Sequence, residues 1–129
     1  MADTTYRTVT PYLVVRDADA LVTFTKRVFG AVEQNCQRND DGTVMHAEMK
    51  IGDSLVMLGQ AGGEWKPRPA ALYLWVDDVD ATYRRALDAG ATSQGAPEDK
   101  PYGHRNAGVE DSNGVMWWIG APVERRANG

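Results

Sequence analysis

His46 and Glu48 stand two residues apart in Thr43 to Ile51, a segment whose apolar alternation predicts a strand. On a strand that spacing puts both side chains on one face, roughly 7 Å apart along the backbone. An imidazole beside a carboxylate can take up and return a proton, or supply two ligands to a metal ion. The same pair can equally close a structural hydrogen bond, and it shares a metal only if another strand contributes. The turn that follows fixes the face. Gly52-Asp53 reads as a two-residue hairpin turn, which pairs Ile51 with Ser54 and Glu48 with Met57. Val44, His46, Glu48, Leu55 and Met57 then share one face; Ala47, Met49, Ile51, Val56 and Leu58 share the other. The second set is wholly apolar and suits a helix, so His46 and Glu48 are expected to face a cavity.

Aromatic residues form a second constellation. Alternation puts Thr10, Tyr12 and Val14 on one face of the run Val9 to Val15, and Ala71, Tyr73 and Trp75 on one face of Ala70 to Val76. Met116 and Trp118 share a face of Val115 to Gly120, whereas Trp117 points the other way, into helix packing. Flat rings with polar tips suit a planar or amphipathic ligand, and equally they can fill a core. Tyr12, Tyr73 and the pair His104-Arg105 are candidates to approach His46 and Glu48. Arg105 carries a planar fork that can clamp a ligand carboxylate, or can anchor a loop by pairing with Glu110 or Asp111. Cys36 reads as a small strand residue with no neighbour in sequence to activate it.

The elements that must position these residues occur twice. Under a shift of 61 residues, Asp17-Ala18-Asp19-Ala20 falls on Asp78-Val79-Asp80-Ala81, Gly42 on Gly103, and Gly59 on Gly120. These are places where a helix begins or a hairpin strand starts or stops, and the period suggests a duplicated half-domain. The first half reads as a strand Val9 to Val15, a helix capped by Asp17 and ended by Gly30, and strands Val32 to Arg38, Thr43 to Ile51 and Ser54 to Gly59. Leu21, Phe24 and Val28 make the helix's inward stripe. The second half repeats the order. It has a strand Ala70 to Val76, a helix capped by Asp77 or Asp78 and bearing Val79, Tyr83, Ala86 and Leu87, and strands near Ala91 to Gly95, Arg105 to Glu110 and Val115 to Gly120. Gln60 to Pro69, rich in Gly and Pro, reads as a linker within one domain, since either half alone is small for a stable core.

Composition narrows the function. The chain of 129 residues has a formal net charge of −4, which disfavours a nucleic-acid partner because backbone binding needs clustered Lys and Arg. Arg84-Arg85 and Arg125-Arg126 are the nearest candidates, and they read as a solvated helix face and a polar tail. No phosphate-binding glycine loop, nucleophile elbow or zinc-spaced Cys/His set occurs. One cysteine precludes an internal disulfide, no run is long enough to span a bilayer, and nothing at Met1 to Pro11 resembles a targeting segment. Cytoplasm, with no membrane partner, is the expectation.

Phe24-Thr25-Lys26-Arg27-Val28-Phe29-Gly30, closing the first helix, and Asp111-Ser112-Asn113-Gly114-Val115-Met116-Trp117-Trp118, entering the last strand, resemble the glyoxalase/bleomycin-resistance superfamily, also called the vicinal oxygen chelate superfamily. His46-Ala47-Glu48-Met49-Lys50-Ile51-Gly52-Asp53-Ser54 is most similar to its small PhnB-like bacterial branch. The resemblance runs from about Thr8 to Pro122 and implies an α+β fold. Tandem βαβββ modules, about residues 8–59 and 69–122 of a single domain, would form a cupped mixed sheet with helices outside. It also implies a homodimer, and a divalent metal held from four positions that here are Thr10, Met57, Ala71 and Trp118. None of these is a good ligand, so no metal and no cofactor are expected. The implied function is a metal-free binding protein that sequesters an aromatic or amphipathic compound. Its ligand-binding set would be Thr10, Tyr12, His46, Glu48, Met57, Tyr73, Trp75, Arg105 and Trp118. The alternative is a glyoxalase-like lyase, isomerase or dioxygenase with an acid/base or noncanonical metal site at His46 and Glu48.

Overall fold

The structure is a computed structural model and describes residues 6–123. The chain forms two compact units that divide between Pro69 and Ala70. In unit one, β1 (Tyr12–Val15) leads to α1 (Ala18–Phe29), followed by β2 (Val32–Arg38), β3 (Val44–Ile51) and β4 (Ser54–Gln60). The sheet order is β1-β4-β3-β2, with β1 parallel to β4 and the other pairs antiparallel.

Local chemistry explains the helix boundaries. The Asp17 side chain accepts a hydrogen bond from the Ala20 N–H at 3.0 Å, satisfying a donor that the first turn leaves free. Gly30 has φ 67°, a left-handed conformation that lets its N–H and that of Ala31 return to the Lys26 and Thr25 carbonyls, each at 3.1 Å. Leu21, Phe24 and Val28 are buried as the helical spacing predicts, together with Val22 and Thr25. They lie on the side of the sheet that carries Ala47, Met49 and Leu58, all fully buried.

Three expectations for unit one change. The first strand starts at Tyr12, because Pro11 has no N–H for the ladder; Val9 is 81% exposed and Thr10 precedes the strand. Within the strand, Leu13, Val14 and Val15 are buried and Tyr12 is 45% exposed. Val44 leaves the face of His46. Gln37 pairs with His46 but Arg38 pairs with Val44, so Met45 is an extra residue, a bulge that turns Val44 under the helix, where it is fully buried. Arg38 follows it, donating to Asp19 of α1 at 2.9 Å. The segment after β4 is more than a linker, as the Arg68 N–H donates to the Val14 carbonyl at 2.6 Å and extends the sheet beside β1.

Unit two contains β5 (Ala71–Trp75), α2 (Val79–Asp88), β6 (Thr92–Asp99), β7 (His104–Glu110) and β8 (Met116–Pro122), in the order β5-β8-β7-β6. The duplication is visible in the register. Tyr12 lies opposite Met57 and Tyr73 opposite Trp118, both shifted by 61 residues. Asp78 caps α2 through Ala81 N–H at 3.1 Å. The buried side of α2 is Val79, Thr82 and Ala86. Tyr83 is only half-buried, with its hydroxyl on Ser93 Oγ at 2.7 Å, and Leu87 is exposed. Thr82 replaces them because its hydroxyl satisfies itself within the helix, on the Asp78 carbonyl at 2.8 Å. β6 runs on to Asp99 through Pro97, which an edge strand tolerates because one side of its backbone has no ladder partner.

A candidate ligand site on the sheet faces

In unit one, β3 and β4 present the expected pair on the side away from α1. The register Glu48 to Met57 and Ile51 to Ser54 is the one the Gly52-Asp53 turn implies, with Gly52 at φ 59°. Glu48 is 7% exposed, and both carboxylate oxygens are engaged. Oε1 accepts from the Tyr6 hydroxyl at 2.7 Å, and Oε2 lies 2.9 Å from His46 Nε2. The other imidazole nitrogen, Nδ1, is 3.3 Å from the Tyr12 hydroxyl, with the two rings 5.5 Å apart. With Nε2 protonated toward the carboxylate, Nδ1 is the acceptor for Tyr12, so one tautomer satisfies the whole chain of contacts. A buried carboxylate needs such donors, since an unpaired one is costly to enclose. Tyr12 lies across Gly59, where an added Cβ would stand 3.3 Å from its hydroxyl and 2.7 Å from the Met45 carbonyl oxygen. The Thr10 hydroxyl donates to the Arg7 carbonyl at 3.4 Å.

Unit two builds a related face from rings. Tyr73 lies across Gly120 as Tyr12 does across Gly59. Trp75, Tyr102 and Tyr73 surround His104, with centroid separations of 4.6, 5.2 and 6.1 Å, and His104 Nδ1 is 3.3 Å from the Tyr73 hydroxyl. Gly108 lies opposite Trp118, the place that Glu48 holds opposite Met57. A side chain there would collide with the Trp118 ring and the Met116 methyl, each 2.7 Å from an added Cβ. Two residues back, Asn106 occupies the place of His46. It is buried, and its Nδ2 donates to the Tyr73 hydroxyl at 3.3 Å and the Tyr102 hydroxyl at 2.9 Å.

Trp117 lies on the opposite face, fully buried, and its indole N–H donates to Asp111 Oδ2 at 2.8 Å. Asp111 Oδ1 accepts from the N–H groups of Asn113 and Val115, so the turn's first residue also seats the core tryptophan.

Arg105 is held by two carboxylates. Its guanidinium pairs with Asp80 of α2 at 2.9 Å and with Asp99 at 3.1 Å, rather than with Glu110 or Asp111. Hydrogen bonds to Asp80, then to Asp99, hold it above its ordinary value. A cleft of about 440 Å³ lies beside it, lined also by Trp75, Asp77, Asp78, Asp80 and Pro122. Because Arg105 is already neutralised there, it is committed to joining α2, β6 and β7.

The sequence reading missed Tyr6, Tyr102 and Asn106. Asn106 was accessible to it, because the helix starts and paired strands fix the repeat and a one-residue adjustment lays β7 on β3. Tyr6 precedes the repeated elements, and no spacing signal reaches it.

The four positions implied for a metal do not suit one. Met57 and Trp118 offer a thioether and an indole, Ala71 offers nothing, and the Thr10 hydroxyl is directed to a carbonyl. Among the described residues no group of three or more His, Cys, Asp or Glu comes together.

Residues 7–119 match the family model of the Glyoxalase/Bleomycin resistance protein/Dioxygenase superfamily, and the chain belongs to that superfamily. An uncharacterized protein of Mycobacterium bovis is 38% identical over 124 residues, covering 88% of this chain and 82% of its own length. Among solved structures, TioX from Micromonospora sp. ML1 has a TM-score of 0.76 at 28% identity, covering 91% of this chain and 99% of its own. A PhnB protein from Bacillus cereus, described as a putative 3-demethylubiquinone-9 3-methyltransferase, reaches a TM-score of 0.72 at 19% identity, over 89% and 99% of the two chains. The fosfomycin resistance protein FosX from Mesorhizobium loti reaches 0.66 at 18% identity and full coverage of both chains. The last two likenesses concern the fold. Among the described residues, no helix is long and apolar enough to cross a membrane.

Proposed function

We propose that this protein binds an aromatic or amphipathic small molecule without a metal ion, as a homodimer, and that the binding surface is the ring-bearing face of the sheets. The observation that carries this reading is the ring cluster of unit two. Tyr73, Trp75 and Tyr102 are 41%, 59% and 62% exposed, yet they hold fixed mutual contacts around His104. A preorganised apolar surface with hydroxyl tips gives up little side-chain freedom on binding. Unit one carries a polar set of its own on or just before the corresponding strands, Thr10, Tyr12, His46, Glu48 and Met57. The donor chemistry at Thr10, Met57, Ala71 and Trp118 supports the metal-free part of the reading.

A second reading keeps a specific observation in its favour. The buried Glu48 oriented against His46, itself in reach of Tyr12, is an arrangement that can exchange a proton with a substrate in a lyase or isomerase. The two readings separate in one experiment. Protein treated with a chelator is titrated with planar aromatic compounds while tryptophan fluorescence is followed, and any binder is then incubated and analysed for turnover. Saturable binding with the compound recovered unchanged supports the binding protein; a product whose formation is lost in Glu48→Gln supports the enzyme.

A further inference from the structure

The duplication leaves one polar group unmatched. In unit one the imidazole of His46 is occupied at both ends, by the Tyr12 hydroxyl and by Glu48. In unit two Asn106 holds the same place, and its Nδ2 spends both hydrogens on Tyr73 and Tyr102. The residue that would meet its other end, as Glu48 meets His46, is Gly108, which has no side chain. Asn106 is only 3% exposed, yet its Oδ1 takes no hydrogen bond from any described residue. No fully enclosed polar side-chain atom is left unpaired among the described residues, so this oxygen keeps some accessible surface. Beside it, the Tyr102 hydroxyl accepts from Nδ2 and keeps its own hydrogen to donate, with no acceptor among the described residues. A free acceptor and a free donor thus stand next to each other among Tyr73, Trp75, Tyr102 and Trp118.

We propose that unit two carries a ligand subsite in which Asn106 Oδ1 and the Tyr102 hydroxyl read an adjacent donor and acceptor on a flat, uncharged group, a carboxamide or lactam borne on an aromatic ring. The inference rests on the binding-protein reading and adds the chemical class of the ligand. The ring accounts for the aromatic wall, and the amide N–H and C=O account for the two free groups. A carboxylate is disfavoured, because it offers Oδ1 no hydrogen to accept. A site built to pair both groups loses a hydrogen bond whenever a ligand lacks one of them.

The test compares benzamide, N,N-dimethylbenzamide, which has no N–H, and benzoate, by saturation-transfer NMR against the full chain. Benzamide is expected to bind about five- to tenfold more tightly than the dimethyl compound, the worth of roughly one hydrogen bond, with benzoate weakest. Tyr102→Phe is expected to weaken benzamide by a similar factor. Asn106→Leu, which removes the acceptor oxygen at similar volume, is expected, if circular dichroism shows it folded, to abolish the preference for the N–H compound over the dimethyl one. Should Asn106→Leu not fold, Tyr102→Phe carries the test, because Tyr102 is 62% exposed and its ring remains. Equal binding of the three probes, unchanged by Tyr102→Phe, would remove the subsite and leave a general aromatic binder. Saturable binding of none of them would overturn both the subsite and the function on which it rests.

Discussion

Trp117 and Trp118 are consecutive, and replacing each by alanine should have opposite consequences. Trp117 is fully buried in unit two, on the side that carries Ala107, Val109 and Ile119, and its N–H is the donor to a buried carboxylate oxygen of Asp111. Removing a core tryptophan costs about 3 to 5 kcal/mol in lost transfer energy and cavity formation. Leaving the Asp111 oxygen without its donor adds about 1 to 3 kcal/mol. The sum is comparable with the whole stability of a small domain, about 5 to 15 kcal/mol. Trp118 is half-buried, with one face on Gly108, and its loss should cost roughly 1 to 2 kcal/mol. Urea unfolding followed by far-ultraviolet circular dichroism measures both. Trp117→Ala is expected to be unfolded or to have its midpoint lowered severely, and Trp117→Phe, which keeps most of the ring but not the N–H, should lie between it and the parent. Trp118→Ala should stay folded and lose affinity for aromatic compounds. A Trp118→Ala protein less stable than Trp117→Ala would refute the assignment of faces and, with it, the placement of the ligand surface.

Other predictions follow from single contacts. Gly59→Ala should destabilise by about 1 to 3 kcal/mol, because the new methyl meets the Met45 backbone carbonyl, which has no rotamer by which to move aside; a thermal melt no lower than the parent's would show that the strands separate freely there. Arg38→Gln tests the tie between α1 and β2. The hydrogen bond from Arg38 holds the Asp19 carboxyl below its ordinary value, so its contribution is complete above the usual carboxylate range and disappears as pH falls through the lowered value. The gap in melting temperature between parent and Arg38→Gln should therefore be small and constant near neutrality and close at strongly acidic pH; a gap that widens with acidification would contradict it. Elemental analysis of protein purified without chelator and then dialysed should find no stoichiometric transition metal, and one retained per chain would reverse the metal-free reading.

Most of the fold could be read from the chain because its signals are local. Asp17, Gly30 and Asp78 act within a turn of their own helix, and Gly52 sets the β3–β4 register on which the His46–Glu48 placement depends. What escaped depends on contacts distant in sequence. The bulge at Met45, which moves Val44 to the other face, is defined by the mismatch with β2 and leaves no mark in the β3 alternation. Arg105 carried an ambiguous signal, since its partners Asp80 and Asp99 come from two other elements. Tyr6 reaches Glu48 across 42 residues, and Asn106 draws Tyr73 and Tyr102 together only once β5 and β7 share a sheet. The chemistry of a face can be read from alternation; the network that tunes it arises from the fold.

The central claim is metal-independent binding of an aromatic compound on the ring-bearing face. The most direct measurement is the indole N–H region of a ¹H–¹⁵N correlation spectrum, where each of the four tryptophans gives one signal. With chelator present, titration of an aromatic binder should shift the Trp75 and Trp118 signals saturably and leave Trp117, bonded to Asp111 on the opposite face, in place. Signals that remain unmoved until a divalent metal is added, or a Trp117 signal that moves while Trp75 and Trp118 do not, would contradict the account.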